Sequence, residues 1–219
     1  MTVMKNDIKF KMKILLRYIK SYGPKNLFII ILYEFIYILI YFDYSIFRLN
    51  NNFNIDSRST KKYNSVYFPS TFYALNIIKK RTNLNNNNSI LLDFGSGDGR
   101  PGKVFNKLKY YGFDYDSQFF QKNKKIKIFN IDLRDFKKLK YLLKKIKLKN
   151  KIIYLYFNDP FENELIYKII KIFYKKFKDI KLIFVNNSNI DYLLKKNISI
   201  DYKKIFHSNK KNIYIGKVL

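Results

Sequence analysis

The stretch ILLDFGSGDGR, residues 90–100, decides the fold of this chain. A short apolar run leads into Asp93, and glycines follow at positions 95, 97 and 99. Glycines at this spacing let the backbone approach a ligand where a side chain would collide. A strand, a glycine-rich turn and a helix in this order form a nucleotide-binding α/β unit. The stretch therefore predicts a site for a nucleotide-like ligand.

Strand and helix patterns alternate downstream of this stretch. The predicted strands are 90–94, 110–114, 126–130, 151–157 and 181–186, and the predicted helices are 101–109, 135–147, 162–177 and 190–195. This alternation predicts a parallel sheet with helices on both faces. Two further β-rich runs, 200–206 and 212–218, flank a predicted turn that starts at His207, which we place on the surface. They predict an antiparallel hairpin at the end of the chain.

Polar residues end the predicted strands, at the edge where an open α/β sheet binds its ligand. Asp114 ends the second strand, 19 residues beyond Gly95, where an acidic residue can bind the two ribose hydroxyls of an adenosine. Asp132 and Leu133 follow the third strand, where a carboxylate could accept from the exocyclic amine of adenine. The segment 158–161, Asn-Asp-Pro-Phe, follows the fourth strand.

Together these residues resemble the class I S-adenosylmethionine-dependent methyltransferases. DFGSGDG at 93–99 is similar to their first motif, and the terminal hairpin is similar to their antiparallel last strand. YFPS at 67–70 and FNDPF at 157–161 resemble boxes of an uncharacterised bacterial group of these enzymes. The resemblance implies a Rossmann-like α/β fold with a mostly parallel seven-stranded sheet, an antiparallel C-terminal hairpin and N-terminal helices.

The resemblance also implies a cofactor, S-adenosylmethionine, and a methyl acceptor of unknown identity. The residues implied to bind the cofactor are Asp93, Gly95, Ser96, Gly97, Gly99, Asp114, Tyr115, Asp132 and Leu133. The residues implied to act on the acceptor are Asn158, Asp159 and Phe161, which are similar to the (Asp/Asn)-Pro-Pro-(Tyr/Phe) box of enzymes that methylate nitrogen. Asp159 stands where that box has a proline, and a plain strand-ending turn with Phe161 in the core is the alternative.

Three further residues are candidates for substrate contact or for a lid over the cofactor: Tyr67, Ser70 and Arg100. Ser70 or Thr71 can also cap the helix that should run to about residue 81. Arg100 follows the third glycine and could meet the cofactor carboxylate, with a solvated side chain as the alternative.

Residues 27–42 are apolar and predict a helix with Glu34 in its middle. The run is short for a bilayer span, which needs about 20 apolar residues. Tyr33, Tyr37, Tyr41 and Tyr44 lie with Glu34 in a more polar stripe. We favour a helix that packs on the domain or lies in a membrane surface over a span. We assign residues 1–64 to an N-terminal extension and 65–219 to the cofactor-binding domain, and expect a cytoplasmic protein with membrane association as an option.

The net charge of +28 comes mainly from lysine, since only 6 of the 44 basic residues are arginine. Lysine, isoleucine, asparagine and tyrosine are all specified by A/T-rich codons, so we attribute the charge to codon bias and do not expect specific nucleic-acid binding. The chain has no cysteine and one histidine, which excludes thiolate and multi-histidine metal sites. We expect no metal, and the oligomeric state stays open.

Three alternatives to a methyltransferase of unknown acceptor remain. GSGDGR and the apolar helix are also similar to membrane-associated protein-lysine methyltransferases. A nicotinamide-binding oxidoreductase is disfavoured by Arg100 at the sixth position of the glycine pattern and by Pro101 and Gly102 in the following helix. A non-catalytic basic interaction module is disfavoured by the intact acidic and glycine positions.

Overall fold

The computed structural model describes residues 22–41, 70–82, 84, 87–115, 126–158, 162–174, 176–177, 179–185, 190–207 and 212–219, together with Leu16 and Ile19. The predictions for Tyr67, Asp159 and Phe161 lie outside the described residues.

Seven strands form a single sheet. They are β1 (Ser89–Phe94), β2 (Lys109–Asp114), β3 (Ile126–Asn130), β4 (Ile152–Asn158), β5 (Ile180–Val185), β6 (Ile200–His207) and β7 (Asn212–Val218). The spatial order is β3-β2-β1-β4-β5-β7-β6. Strands β1 to β5 are parallel, whereas β7 is antiparallel to both β5 and β6. The predicted fold class, a mostly parallel Rossmann-like sheet with an antiparallel terminal hairpin, is therefore confirmed.

Six helices are described with the strands. They are α1 (Pro24–Tyr41), α2 (Phe72–Arg81), α3 (Arg100–Val104), α4 (Phe136–Lys145), α5 (Asn163–Tyr174) and α6 (Ile190–Lys195). Local capping sets two of the starts: Thr71 accepts from the Ala74 N–H at 3.1 Å before α2, and Asp135 accepts from the Lys138 N–H at 2.9 Å before α4.

Several predicted boundaries differ from the structure, among them the ends of α4 and α5, which stop at Lys145 and Tyr174 rather than at residues 147 and 177. Helix α3 ends at Val104 rather than near residue 109, because Phe105 turns into the core and is fully buried. The chain then enters β2 at Lys109. His207 was placed in the hairpin turn, but its backbone pairs with Asn212 at the end of β6, because the ladder continues to that residue.

A row of stacked phenylalanines crosses five strands near their carboxyl ends. Neighbouring ring centroids are 5.2 to 5.4 Å apart, and the five residues are Phe129, Phe113, Phe94, Phe157 and Phe184 in spatial order. Parallel strands buried on both faces are rich in such apolar residues. Because these phenylalanines are paired with one another in the parallel register, the residue that follows each of them lies at the same edge of the sheet.

Helix α1 packs its polar stripe inward and leaves apolar side chains outside. Glu34 and Tyr37 are buried, and the rings of Tyr33 and Tyr37 lie 5.9 and 5.3 Å from the ring of Phe72 in α2. The opposite side, which we call the outer face of α1, consists of Phe28, Ile29, Ile31, Leu32, Phe35, Leu39 and Ile40, all exposed. By length and composition α1 could also cross a membrane. The inner face of α1 packs on the rest of the protein, which is one of the two arrangements favoured from the sequence.

Candidate functional site

The glycine loop, residues 95–99, follows β1 in a conformation that requires glycine. Gly95, Gly97 and Gly99 have φ values of 77°, 52° and 73°, in the left-handed region that other residues rarely adopt. The Gly95 N–H donates to the Phe113 carbonyl at 2.8 Å, and the Gly97 N–H donates to Asp114 Oδ2 at 2.8 Å. The end of β2 therefore holds the first half of the loop.

Packing inside the protein accounts for part of the glycine pattern. A Cβ at Gly99 would lie 3.0 Å from Ile126 Cγ2, and a Cβ at Gly112 in β2 would lie 2.6 Å from Ser96 Oγ. The glycines therefore serve two purposes: they allow the left-handed backbone of the loop, and at Gly99 and Gly112 they make room for neighbouring side chains.

Asp93 lies at the base of the loop and is 1% exposed. Tyr110 donates a hydrogen bond to Asp93 Oδ2 at 2.6 Å. Burial raises the pKa of Asp93 to about 8, although the Tyr110 hydrogen bond lowers it and the nearby Asp114 and Asp98 raise it further. Among the described residues, Asp93 Oδ1 and Ser96 Oγ are buried without a hydrogen-bond partner. The base of the loop thus carries unmatched polar atoms, which buried protein normally avoids.

Asp114 and Tyr115 stand where the sequence placed them, at the carboxyl end of β2. Asp114 is half-buried, and Tyr115 is 59% exposed. Asn130, at the end of β3, donates to the Tyr115 carbonyl at 3.3 Å. A carboxylate has about four acceptor positions, so Asp114 can accept from more than one donor.

Asp132 is tied to its neighbour Arg134. The guanidinium Nε lies 2.9 Å from Oδ1 and Nη2 lies 2.8 Å from Oδ2, while the Arg134 N–H also donates to Oδ1 at 2.9 Å. These hydrogen bonds hold the pKa of Asp132 below its ordinary value. Leu133 is buried beside it. An adenine amine at this position would share a carboxylate that Arg134 already binds.

Ser70 and Thr71 bring the start of α2 to the sheet. Ser70 Oγ and the Tyr156 hydroxyl of β4 are 2.7 Å apart in a buried hydrogen bond. Tyr156 lies directly opposite Asp93 in the parallel register of β4 and β1. Ser70 therefore lies near the base of the loop, while Thr71 rather than Ser70 is the helix cap.

Arg100 is buried, which contradicts the solvated alternative. Its side chain is 1% exposed, and Nη1 donates to Glu34 Oε2 of α1 at 2.7 Å. Nε lies 3.6 Å from Asp98 Oδ2, and the guanidinium carbon lies 4.8 Å from the centre of the Tyr37 ring. The side chain is buried because these partners from the loop and α1 surround and neutralise it.

Asn158 ends β4 at the same edge of the sheet. It follows Phe157 in the phenylalanine row, pairs with Val185 of β5 and is half-buried. It is the one member of the predicted acceptor box that lies within the described residues. No group of three or more metal-ligating side chains is found in the described part of the chain.

Sequence reasoning missed four residues of the site: Glu34, Asp98, Tyr110 and Tyr156. Alternation along the strands could have found the two tyrosines, because Tyr110 and Tyr156 fall on the same face of the sheet as Asp93. Glu34 offered a signal too, since a carboxylate in an apolar helix needs a partner.

No protein-family model matches the sequence, and no curated protein matches it. Solved structures similar in fold include the fibrillarin/Nop5p complex, with a TM-score of 0.43, 15% identity, and coverage of 60% of this chain and 73% of that chain. A second is the Pyrococcus abyssi tRNA (uracil-54, C5)-methyltransferase in complex with S-adenosyl-L-homocysteine, with a TM-score of 0.46, 16% identity, and coverage of 71% and 40%. A third is a TehB-like S-adenosylmethionine-dependent methyltransferase from Corynebacterium glutamicum, with a TM-score of 0.45, 11% identity, and coverage of 66% and 86%. At these identities and scores, the activity must be argued from the residues of this chain.

Proposed function

We propose that this protein binds S-adenosylmethionine and transfers its methyl group to a nitrogen or oxygen acceptor. The observation that carries the proposal is the glycine loop, joined to Asp114 through Gly97 at the carboxyl edge of the sheet. The strand order supports it as well, because a dinucleotide-binding dehydrogenase has the order 3-2-1-4-5-6 without an inserted antiparallel strand.

The residues at this edge fit the proposed cofactor. Asp93 Oδ1 and Ser96 Oγ are buried polar atoms without a hydrogen-bond partner among the described residues, and the Asp114 carboxylate has the chemistry to accept from a ribose diol. Asp132 and Leu133 offer one polar and one apolar contact for an adenine ring. Bound S-adenosylmethionine supplies a methyl group already activated by a sulfonium, so the protein needs to align the acceptor and remove a proton.

Asn158 is the proposed contact for the acceptor. Its position at the end of β4 places it next to the strand that carries the loop, since β4 pairs with β1. Its side-chain oxygen would accept a hydrogen bond from the nitrogen that receives the methyl group. Asp159 is proposed to accept a proton, and Phe161 is proposed to stack on the substrate. Tyr67 and Ser70 are proposed as a cover over the cofactor. The acceptor itself is a small molecule, a glycan or a protein.

Calorimetry tests the cofactor proposal. We expect S-adenosylmethionine and S-adenosylhomocysteine to bind and NAD not to bind. An Asp201→Ala variant, which removes an exposed carboxylate on β6, should bind as the wild type does. Binding of NAD alone would replace the proposal with an oxidoreductase, and a folded protein that binds none of the three would favour the interaction module.

We also propose that α1 lies on an anionic membrane surface through its outer face. Phe28 and Phe35 are 74% and 58% exposed, and contiguous apolar surface of this kind is uncommon on soluble monomers. The net charge of +28 complements anionic lipid. A surface position is favoured over a span because Glu34 is buried against Arg100, and a spanning helix would place that carboxylate in lipid. This arrangement favours a membrane-associated protein-lysine methyltransferase as the second candidate.

Vesicle flotation tests the membrane proposal. We expect binding to phosphatidylcholine vesicles that contain phosphatidylglycerol, weaker binding without it, and release by a carbonate wash. The double variant Phe28→Ser/Phe35→Ser should lose flotation and keep its melting temperature. Resistance to carbonate would indicate a span, and concentration-dependent dimerisation without flotation would show that a second copy covers the outer face.

A further inference from the structure

Glu34 connects α1 to two other parts of the protein. Its Oε2 accepts from Arg100 Nη1 at 2.7 Å, and its Oε1 accepts from the Phe72 N–H at 2.7 Å. Phe72 is the first residue of α2, and Arg100 is the first residue of α3, directly after Gly99. One carboxylate from the middle of an apolar helix therefore joins the starts of two helices that flank the loop.

Arg100 depends on this carboxylate for its buried position. The guanidinium Nη1 also donates to the Ser70 carbonyl at 3.4 Å, but the short, charge-assisted bond is the one to Glu34. Removing one partner of a buried ion pair leaves the other charge desolvated, which is strongly unfavourable. Without Glu34, Asp98 still lies beside the guanidinium, but at 3.6 Å rather than 2.7 Å, so we expect the Arg100 side chain and the adjoining backbone at Gly99 to shift.

The glycine loop consequently has two anchors. The first is the end of β2, where the Phe113 carbonyl and the Asp114 carboxylate accept from loop N–H groups. The second is Arg100, which directly follows the loop and is bound by Glu34 of α1. Gly99 lies between the two anchors, and its left-handed backbone has little room to shift because Ile126 lies close to it.

We propose that Glu34 is a positioning residue for cofactor binding. Its carboxylate acts through Arg100 to hold the glycine loop in the conformation that binds S-adenosylmethionine. Helix α1 therefore contributes to the cofactor site. This inference rests on the proposed function for its ligand, whereas the anchoring of the loop can be measured without any ligand.

A double-mutant cycle tests the inference. Glu34→Gln keeps an oxygen for the Phe72 N–H and replaces the anionic partner of Arg100 with an amide. We expect Glu34→Gln and Arg100→Gln each to weaken S-adenosylmethionine binding about tenfold or more, because small displacements in a binding site cost about that much. The double variant should bind no worse than the weaker single variant, since both changes remove the same interaction. Unchanged affinity in Glu34→Gln, or effects that add in the double variant, would overturn the proposal.

The matched control is Ile30→Ala, in the same helix. Ile30 is buried in a separate cluster with Tyr22 and partly buried Phe206. Its truncation should lower the melting temperature and leave the affinity for S-adenosylmethionine within about twofold of wild type, because it removes packing without removing the ion pair.

Hydrogen exchange supplies a readout that needs no ligand. Without cofactor, amides of residues 95–103 should exchange faster in Glu34→Gln than in Ile30→Ala at equal global stability. Equal loop exchange in the two variants would contradict the anchor. If the wild type fails to bind S-adenosylmethionine, the proposed function fails, and the exchange result still decides the anchor. If both single variants fail to fold, exchange in the wild type decides: protection of residues 32–36 should rise when cofactor binds, and no rise would overturn the proposal.

Discussion

Tyr110 donates a 2.6 Å hydrogen bond to Asp93, and both side chains are buried at the base of the glycine loop. Burial raises the pKa of Tyr110 well above its ordinary value and that of Asp93 to about 8. Asp93 is therefore protonated in the folded protein over a pH range in which the same side chain is ionised in the unfolded chain.

The first prediction concerns stability and pH. The folded pKa of Asp93 lies above its unfolded value of 3.8, so its contribution to stability is complete below pH 3.8 and is lost as pH rises to about 8. Asp93→Asn should flatten this dependence, which is on the order of a few kcal/mol across the window. Urea unfolding at several pH values measures it, with Asp201→Asn as the exposed control. A slope that is the same in both variants would exclude Asp93 as its source.

A second prediction links Asp93 to the proposed cofactor. S-adenosylmethionine carries positive charge, and a cation near Asp93 lowers its pKa. Binding at pH 7 should therefore release protons, which calorimetry detects as an enthalpy that varies with the ionisation enthalpy of the buffer. Asp93→Asn should bind without this variation. Buffer-independent binding by the wild type would place Asp93 away from the charged part of the cofactor.

Asp114 gives the third prediction. Its Oδ2 accepts from the Gly97 N–H. In the proposed function, the carboxylate also accepts hydrogen bonds from the ribose diol of the cofactor. Asp114→Ala should weaken S-adenosylmethionine binding by about 100-fold or more, because it removes a charged hydrogen-bond acceptor from a binding site. Asp114→Asn, which keeps one oxygen for Gly97, should show a smaller loss. Calorimetry of the two folded variants compares them, and wild-type affinity in Asp114→Ala would remove this residue from the site.

The fourth prediction concerns Gly102 in α3. A Cβ at this position would lie 2.6 Å from Cγ of Tyr110, whose ring is held by its bond to Asp93. Gly102→Ala should cost about 1 to 3 kcal/mol of unfolding free energy, the usual range for overpacking. The exposed neighbour substitution Asn106→Ala should change it by less than about 0.5 kcal/mol. Equal unfolding free energies in the two variants would show that the ring moves aside freely.

The fifth prediction concerns the ion pair between Asp132 and Arg134. The side chains of the pair are 37% and 48% exposed, so solvent screens it and its contribution to stability is under about 1 kcal/mol. Its contribution is present above the unfolded pKa of Asp132 and is lost as pH falls through the lowered folded value. Arg134→Ala should raise the pKa of Asp132 toward its ordinary range, which carbon NMR titration of the carboxyl detects. An unmoved pKa would point to the backbone N–H as the dominant cause.

Local sequence patterns predicted the sheet because they act over short distances. Apolar runs of strand length, separated by helical patterns, predicted β1 to β5. For most of these strands the predicted boundaries agree with the structure within a residue or two. Glycines at 95, 97 and 99 predicted the loop, because only glycine readily adopts its left-handed backbone. Local patterns failed at α3, where packing of Phe105 against the core ended the helix early.

The sequence by itself determined the mostly parallel sheet, the glycine loop and the acidic residues at the strand ends, because each depends on neighbours close along the chain. Only the tertiary structure decided the partners of these residues. Arg100 meets Glu34 across 66 positions, and Ser70 meets Tyr156 across 86. The local pattern of α1 shows a more polar stripe but not which way it faces. The stripe faces inward in the structure, where Glu34 meets the buried guanidinium, because a charge removed from water must find its counter-charge within the protein.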